Sequence, residues 1–229
     1  MRSALITIFS VLLIDQVLKI WIKANFALGE VAGELGFIKL QFIENPGMAF
    51  GMTFGEVWGK VILSLFRVLA VIAIGFIIRN LINNKAHRGL VISGSLIFAG
   101  ALGNILDSAF FGFMFDQGTT WNSDFQEWVG YAGVAEMNFN GYAGFLQGCV
   151  VDMIHFEFYY PSWMPFDLAG SEVFPPIFNI ADFAISFGVG IIIVFNKRFL
   201  GNGKGDFSVF KKQKEKKEMV EESAETVSE

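Results

Sequence analysis

Four stretches of the chain are long and apolar enough to cross a hydrocarbon core, which needs about 20 residues. They run over residues 4–22, 57–78, 89–111 and 177–195. Each reads as a transmembrane helix, because a spanning segment must satisfy its own backbone hydrogen bonds. The first also has the look of a secretory h-region behind Arg2. No small-residue cleavage site follows it, and Asp15, Gln16 and Lys19 interrupt the place where one belongs, so it is expected to be retained. Between the first two spans, Gly36-Phe-Ile-Lys-Leu-Gln-Phe-Ile-Glu-Asn45 partly alternates and ends at the turn pair Asn45-Pro46. That pattern predicts one or two short strands at the membrane surface.

Charge adds an orientation. The short connection 80–88 carries Lys85 and Arg88, and the segment after residue 195 holds eight further Lys and Arg residues from Lys197 to Lys217. Residues 113–176 contain acids and no Lys or Arg, while the first connection sets Lys23 and Lys39 against Glu30, Glu34, Glu44 and Glu56. The positive-inside rule then places both termini and the middle connection in the cytoplasm, and the first and third connections outside. The net charge of -5 hides this asymmetry. The fold class is therefore a four-transmembrane-helix bundle with a small extracytoplasmic β-sheet and a long outer loop. It divides into a membrane domain over 1–196 and a charged cytoplasmic tail over 197–229, expected to be disordered. Residues 113–147, rich in Gly and aromatics, suit the outer membrane surface, where Trp and Tyr concentrate.

A carboxylate inside a bilayer costs about 2.5–3.5 kcal/mol on insertion scales, so each one is a candidate for function. Asp15, Asp107 and Asp182 lie on separate helices yet within about 11, 6 and 8 Å of their outer ends. Each has a polar companion at helical spacing: Asp15 with Lys19, Asn104 with Asp107, and Asn179 with Asp182. Gly100 and Gly103 leave room for a close helix approach beside Asn104. For Asp15, Asn104 and Asp107, buried hydrogen bonding between helices explains the residues as well as chemistry does.

Asp152 stands among apolar neighbours in Gly148-Cys-Val-Val-Asp-Met-Ile-His-Phe156, where burial disfavours its charge. Were it to face Asp182, repulsion would split the two titrations, so that one acid holds a proton while the other activates water. Other chemistries fare worse. Cys149 lacks a nearby His base and reads as a small apolar filler. His155 is three residues from Asp152 and in reach of supporting it, though an exposed or structural imidazole is the expected reading. Asp152, His155 and Glu157 do not form a recognised metal-ligand spacing.

The order Asp15-Gln-Val-Leu-Lys19, Asn45-Pro-Gly-Met-Ala-Phe50, Gly103-Asn-Ile-Leu-Asp107, Val150-Val-Asp152 and Phe178-Asn-Ile-Ala-Asp182 resembles the lipoprotein signal peptidases, or signal peptidase II. The resemblance implies an intramembrane aspartyl endopeptidase of the bacterial cytoplasmic (inner) membrane. Such enzymes cut prolipoproteins just before a diacylglyceryl-modified cysteine. It assigns the catalytic pair to Asp152 and Asp182. It makes Asn45, Gly47, Asn104, Asp107 and Asn179 residues that shape or support the site, with Asp15 and Lys19 in the first motif. It implies no cofactor and no metal. The expected partners are lipid-modified prolipoproteins and membrane lipids, with no nucleic acid, for a monomer whose site faces the outer leaflet. Two departures stand out. Ser108 occupies the place where the family commonly has Arg, and 113–147 looks like an insertion. The competing readings are a proton- or cation-coupled transport subunit and a non-catalytic scaffold. Helix two carries Lys60 and Arg67 but no acid, which argues against a proton path across the bundle.

Overall fold

A computed structural model describes residues 1–47, 57–165 and 167–200. Four helices are long and apolar enough to cross a membrane: α1 (Arg2–Asn25), α2 (Val57–Asn83), α3 (Arg88–Met114) and α4 (Ile180–Leu200). Met48–Phe50 of the second motif and the tail beyond residue 200 lie outside the described residues.

Helix α3 is the hub, in contact with α1, α2 and α4. Its approach to α4 is set by glycine: a Cβ on Gly100 would lie 2.2 Å from the backbone oxygen of Ala181. In hydrocarbon, where apolar burial gives no net drive, such backbone proximity supplies the packing. The remaining faces turn large apolar side chains outward, among them Phe66, Leu69 and Phe76 on α2 and Val194 on α4. This is the surface a lipid-facing bundle requires.

One end of the bundle carries a three-stranded antiparallel sheet, β1 (Val31–Leu35), β2 (Ile38–Asn45) and β5 (Val150–Phe156), in the order β1-β2-β5. The alternation over 36–45 predicted β2, while β1 lies ahead of that stretch. The third comes from the segment that carries Asp152, which local pattern left unassigned. Its register sets Ile43 opposite Asp152, Glu44 opposite Val151 and Asn45 opposite Val150.

Residues 113–147 do more than lie on the membrane surface. They contain a short hairpin, β3 (Thr120–Asn122) with β4 (Glu127–Val129), whose Trp121 and Trp128 pair across the strands. Phe115 and Ala135 join Ile22, Phe42, Phe111, Val151 and Met153 in a buried core. Outside the bilayer, burying each large side chain of this kind contributes about 1.5–3 kcal/mol. The segment thereby packs as one unit with the sheet.

Candidate active site

Helix α4 begins at Ile180, three residues later than the hydrophobic run suggests, and this changes the meaning of the Asn179/Asp182 spacing. Asn179 precedes the helix as its cap. Its Oδ1 accepts from the Asp182 backbone N–H at 2.9 Å, and Asp182 Oδ2 accepts from the Asn179 N–H at 3.4 Å. This reciprocal capping box satisfies two amides that the helix leaves without partners. Asp182 therefore sits in the first turn, about 3 Å along the helix rather than 8. The positive end of the helix dipole faces its carboxylate.

A third acceptor comes from another helix. Asp15 Oδ1 on α1 accepts from the Ala181 N–H at 2.9 Å. Its Oδ2 lies 2.9 Å from Lys19 Nζ, which also reaches Asp107 Oδ2 at 2.8 Å and Asn104 Oδ1 at 2.9 Å. Asp107 in turn accepts from Gln16 Nε2 at 2.8 Å and from the Val151 N–H at 3.3 Å. Asp15, Lys19 and Asp107 are fully buried. Asp15 thus fixes the start of α4, Asp107 fixes β5, and Lys19 holds the two together.

Above this frame stand Asp152 and Asp182, joined through two amides. Asn179 Nδ2 donates to Asp152 Oδ1 at 2.6 Å, and Asn104 Nδ2 donates to Asp182 Oδ1 at 2.8 Å. The amides are linked by Asn179 Nδ2 to Asn104 Oδ1 at 3.1 Å. Asn45 also hydrogen-bonds Asp152. Its Oδ1 accepts from Gly47 N at 2.9 Å in a tight turn, and the φ of +104° at Gly47 is one that a side chain would resist. All nine residues singled out from the sequence are brought into one connected site.

The two carboxylates differ in surroundings. Asp152 is 4% exposed, and burial, reinforced by the charge of Asp182, pushes its carboxyl up to about 7. Asp182 is partly exposed and lines a cavity of about 400 Å³ with Phe156, Phe174, Phe178 and Phe183.

The remaining candidates fall elsewhere. His155 does not support Asp152. It sits opposite Lys39 in the sheet and bonds Glu172 through Nε2 at 2.6 Å. Neighbouring residues on a strand point to opposite faces, so an offset of three separates their side chains. Ser108 is buried, and its hydroxyl donates to Asn104 O at 3.1 Å instead of meeting a carboxylate. It lies in a π-helical turn over Asp107–Phe111, whose loosened backbone lets Ser108 O accept from Gly148 N at 2.9 Å. Arg67 on α2 lies within electrostatic reach of Asp182 and Asp152. Cys149 is buried as expected, but Lys60 Nζ stands 3.2 Å from its sulfur.

Sequence reasoning took Lys23 and Glu44 for charges of an outer connection. They form a buried ion pair, with Lys23 ringed by Phe115, Tyr131 and Tyr142. Positions 15, 19 and 23 share one helical face, and that spacing was the available signal.

The fold and the site define a membrane-embedded protein with two linked carboxylates gathered at one end of its helices. The sequence profile described as Signal peptidase (SPase) II matches residues 7–197. A lipoprotein signal peptidase of Porphyromonas gingivalis is 37% identical over 191 residues, covering 80% of this chain and 77% of that protein. One from Amoebophilus asiaticus is 31% identical, covering 79% and 72%. A bacterial membrane enzyme solved by the in meso method at 2.3 Å resolution shares the fold, with a TM-score of 0.54 and 22% identity over 89% of this chain and 93% of that one. The chain belongs to the signal peptidase II family, and it is a multi-pass membrane peptidase.

Proposed function

We propose that this chain removes signal peptides from diacylglyceryl-modified prolipoproteins, cutting before the lipidated cysteine, and that Asp152 and Asp182 carry the hydrolysis. The observation behind the residue assignment is the bridge from Asp152 through Asn179 and Asn104 to Asp182. It holds one carboxyl in a buried site where it keeps a proton, and the other at the wall of an open cavity.

The roles follow from that asymmetry. Asp182, as the base, takes a proton from a water as its oxygen attacks the scissile carbonyl. Asp152, protonated, donates to the carbonyl oxygen as negative charge develops there. Collapse of the tetrahedral intermediate breaks the C–N bond, and the departing amine of the modified cysteine takes up a proton from the dyad. Asn104, Asn179 and Asn45 keep the carboxylates in position, and Asp15, Lys19 and Asp107 hold the elements that carry them. The Lys and Arg distribution supports cytoplasmic termini and a site toward the outer leaflet, where a lipid-anchored substrate diffuses past it. The working unit on this reading is a monomer in contact with membrane lipid.

The test is cleavage of a diacylglyceryl-modified prolipoprotein by the purified protein beside Asp152→Asn and Asp182→Asn. Both variants should fold and lose at least 10³-fold in rate, the scale of losing a positioned acid or base. Wild-type activity in either variant rules out the dyad, and an inactive wild type rules out the peptidase reading.

A further inference from the structure

A second cavity, of about 470 Å³, lies on the other flank of the sheet. Ile43, Glu44 and Pro46 form one wall, and Trp121 and Trp128 of the insertion hairpin form the other. Thr119 also lines it, and it is only 7% exposed. Its Oγ1 is buried and has no hydrogen-bond partner among the described residues. A buried hydroxyl without a partner costs about 1–3 kcal/mol, which a ligand's polar group would relieve.

Among the described residues, the backbone beside this cavity is also open. On the edge away from β5, strand β2 is partnered among the described residues only as far as Phe42, which exchanges hydrogen bonds with Gly29 and Glu30. Glu44 is opposite Val151, whose N–H and C=O are already used on the far side by Asp107 and Asn179. Val151 therefore exchanges no ladder bonds with Glu44, and by strand alternation the N–H and C=O of Glu44 point to the open edge. No strand among the described residues occupies that edge. An open strand edge flanked by aromatic walls and an unpartnered hydroxyl is the equipment for binding an extended peptide by strand addition.

We infer that this edge, closed over by the insertion hairpin, binds the prolipoprotein segment just beyond the lipidated cysteine, on the mature side of the cut. The inference rests on the proposed peptidase reading. Continuity with the dyad selects the occupant. Ile43 is paired opposite Asp152, and Asn45 bonds Asp152, so a chain leaving the dyad crosses Asn45 and Pro46 to reach the edge at Glu44. Two strand spacings separate Asp152 from that edge, roughly 10 Å, or about three extended residues. Positions roughly three to six beyond the scissile bond fall in the cavity. The lipid and the apolar signal segment suit the opposite flank, where the Phe-lined cavity meets Asp182 beside the exposed Phe183. The second cavity has Glu44, Gln126 and Glu127 in its lining, which favours a polar polypeptide over an acyl chain.

The experiment compares two synthetic substrates with the full-length protein. One ends as an amide at the modified cysteine, and the other continues for six residues. Wild type should cut the longer with a kcat/KM about tenfold higher, and Trp121→Ala, Trp128→Ala and Thr119→Val should each lower that value while leaving the short substrate unchanged. Proline at the third to sixth positions, which removes backbone donors, should lower cleavage of the long substrate by wild type. Equal cleavage of both substrates by wild type, or equal losses on both in the variants, overturns the inference while the peptidase reading stands. Cleavage of neither by wild type removes the peptidase reading and this inference with it. If the Trp variants unfold in a thermal scan, Thr119→Val and the proline series decide the question.

Discussion

Lys19 and Lys23 stand one turn apart on α1, and both are fully buried, yet they are held in opposite ways. Lys19 is surrounded by oxygen: two carboxylates and one amide, at 2.8 to 2.9 Å. Lys23 has one carboxylate, Glu44, and one carbonyl, Gln117 O at 2.9 Å, and is otherwise enclosed by three aromatic rings at 5.0 to 5.1 Å. The first set of contacts passes directly to backbone amides of α4 and β5, so it positions the elements that carry Asp182 and Asp152. The second joins α1 and β2 to the insertion, since Glu44 also accepts from the Thr119 N–H at 2.6 Å. The comparison separates two jobs for a buried ammonium. One locks a polar frame under the reacting groups, and the other clamps the insertion over the sheet through cation–π contact.

Removing the charges tests that separation. Lys19→Met strands two buried carboxylates, and breaking a buried pair in this manner costs about 3–5 kcal/mol. We expect a large fall in melting temperature and a loss of cleavage above 100-fold, read by a thermal scan in detergent beside the peptidase assay. A variant that melts lower but cuts normally would detach the frame from the chemistry.

Acidity sharpens the role of the frame's upper end. Burial and the charge of Asp182 raise Asp152 to about 7, so the proton the mechanism needs is present below that pH and lost above it. The rate should fall about tenfold per unit on the alkaline side, with the apparent value belonging to the pair. The sign for stability is the same. Between about 4, where an unfolded Asp ionises, and about 7, the folded state alone keeps the proton. Stability contributed by this group therefore declines across that window and is level above it. Asp152→Asn should flatten that slope of melting temperature against pH, and an unchanged slope would contradict the assignment.

Lys23→Met should have a smaller effect on catalysis, about tenfold or less, and should act mainly on substrates with a long mature segment. It leaves a single buried carboxylate, and Lys23→Met with Glu44→Gln should recover much of the lost stability, because replacing both members of a buried pair is often neutral. A double variant no better than the single would mean that the cage, rather than the charge, is what matters. Least of all should follow from Lys39→Met. Its pairs with Glu157 and Glu34 lie at the solvent-exposed rim, where screening leaves little net gain. No change in melting temperature is expected, and a measurable drop would show that the sheet rim is tied to the frame.

Much of the site was legible because its residues are out of place in hydrocarbon. Asp15, Lys19, Asn104 and Asp107 are conspicuous in apolar runs, and their order along the chain carried the family resemblance. Asn179 and Asp182 were paired correctly by spacing and misread in kind, since a capping box and a helical i, i+3 pair share the same offset. Lys23 and Glu44 escaped notice because a charge at the end of an apolar run ordinarily lies in water, and nothing local says that an aromatic segment about a hundred residues later closes over it. The partnerless Thr119 hydroxyl was likewise invisible, being a property of surroundings rather than of type.

The sequence alone determined the number of spans, the strand that ends at Asn45 and the set of costly polar residues, because each is a local matter of transfer free energy and period. Tertiary structure alone decided which of those residues meet. Val151 joins Asp107 and Ala181 joins Asp15 only when three helices and a strand converge. Hydrogen bonds a few ångströms long between residues up to 166 positions apart are properties of packing, and no local pattern encodes them.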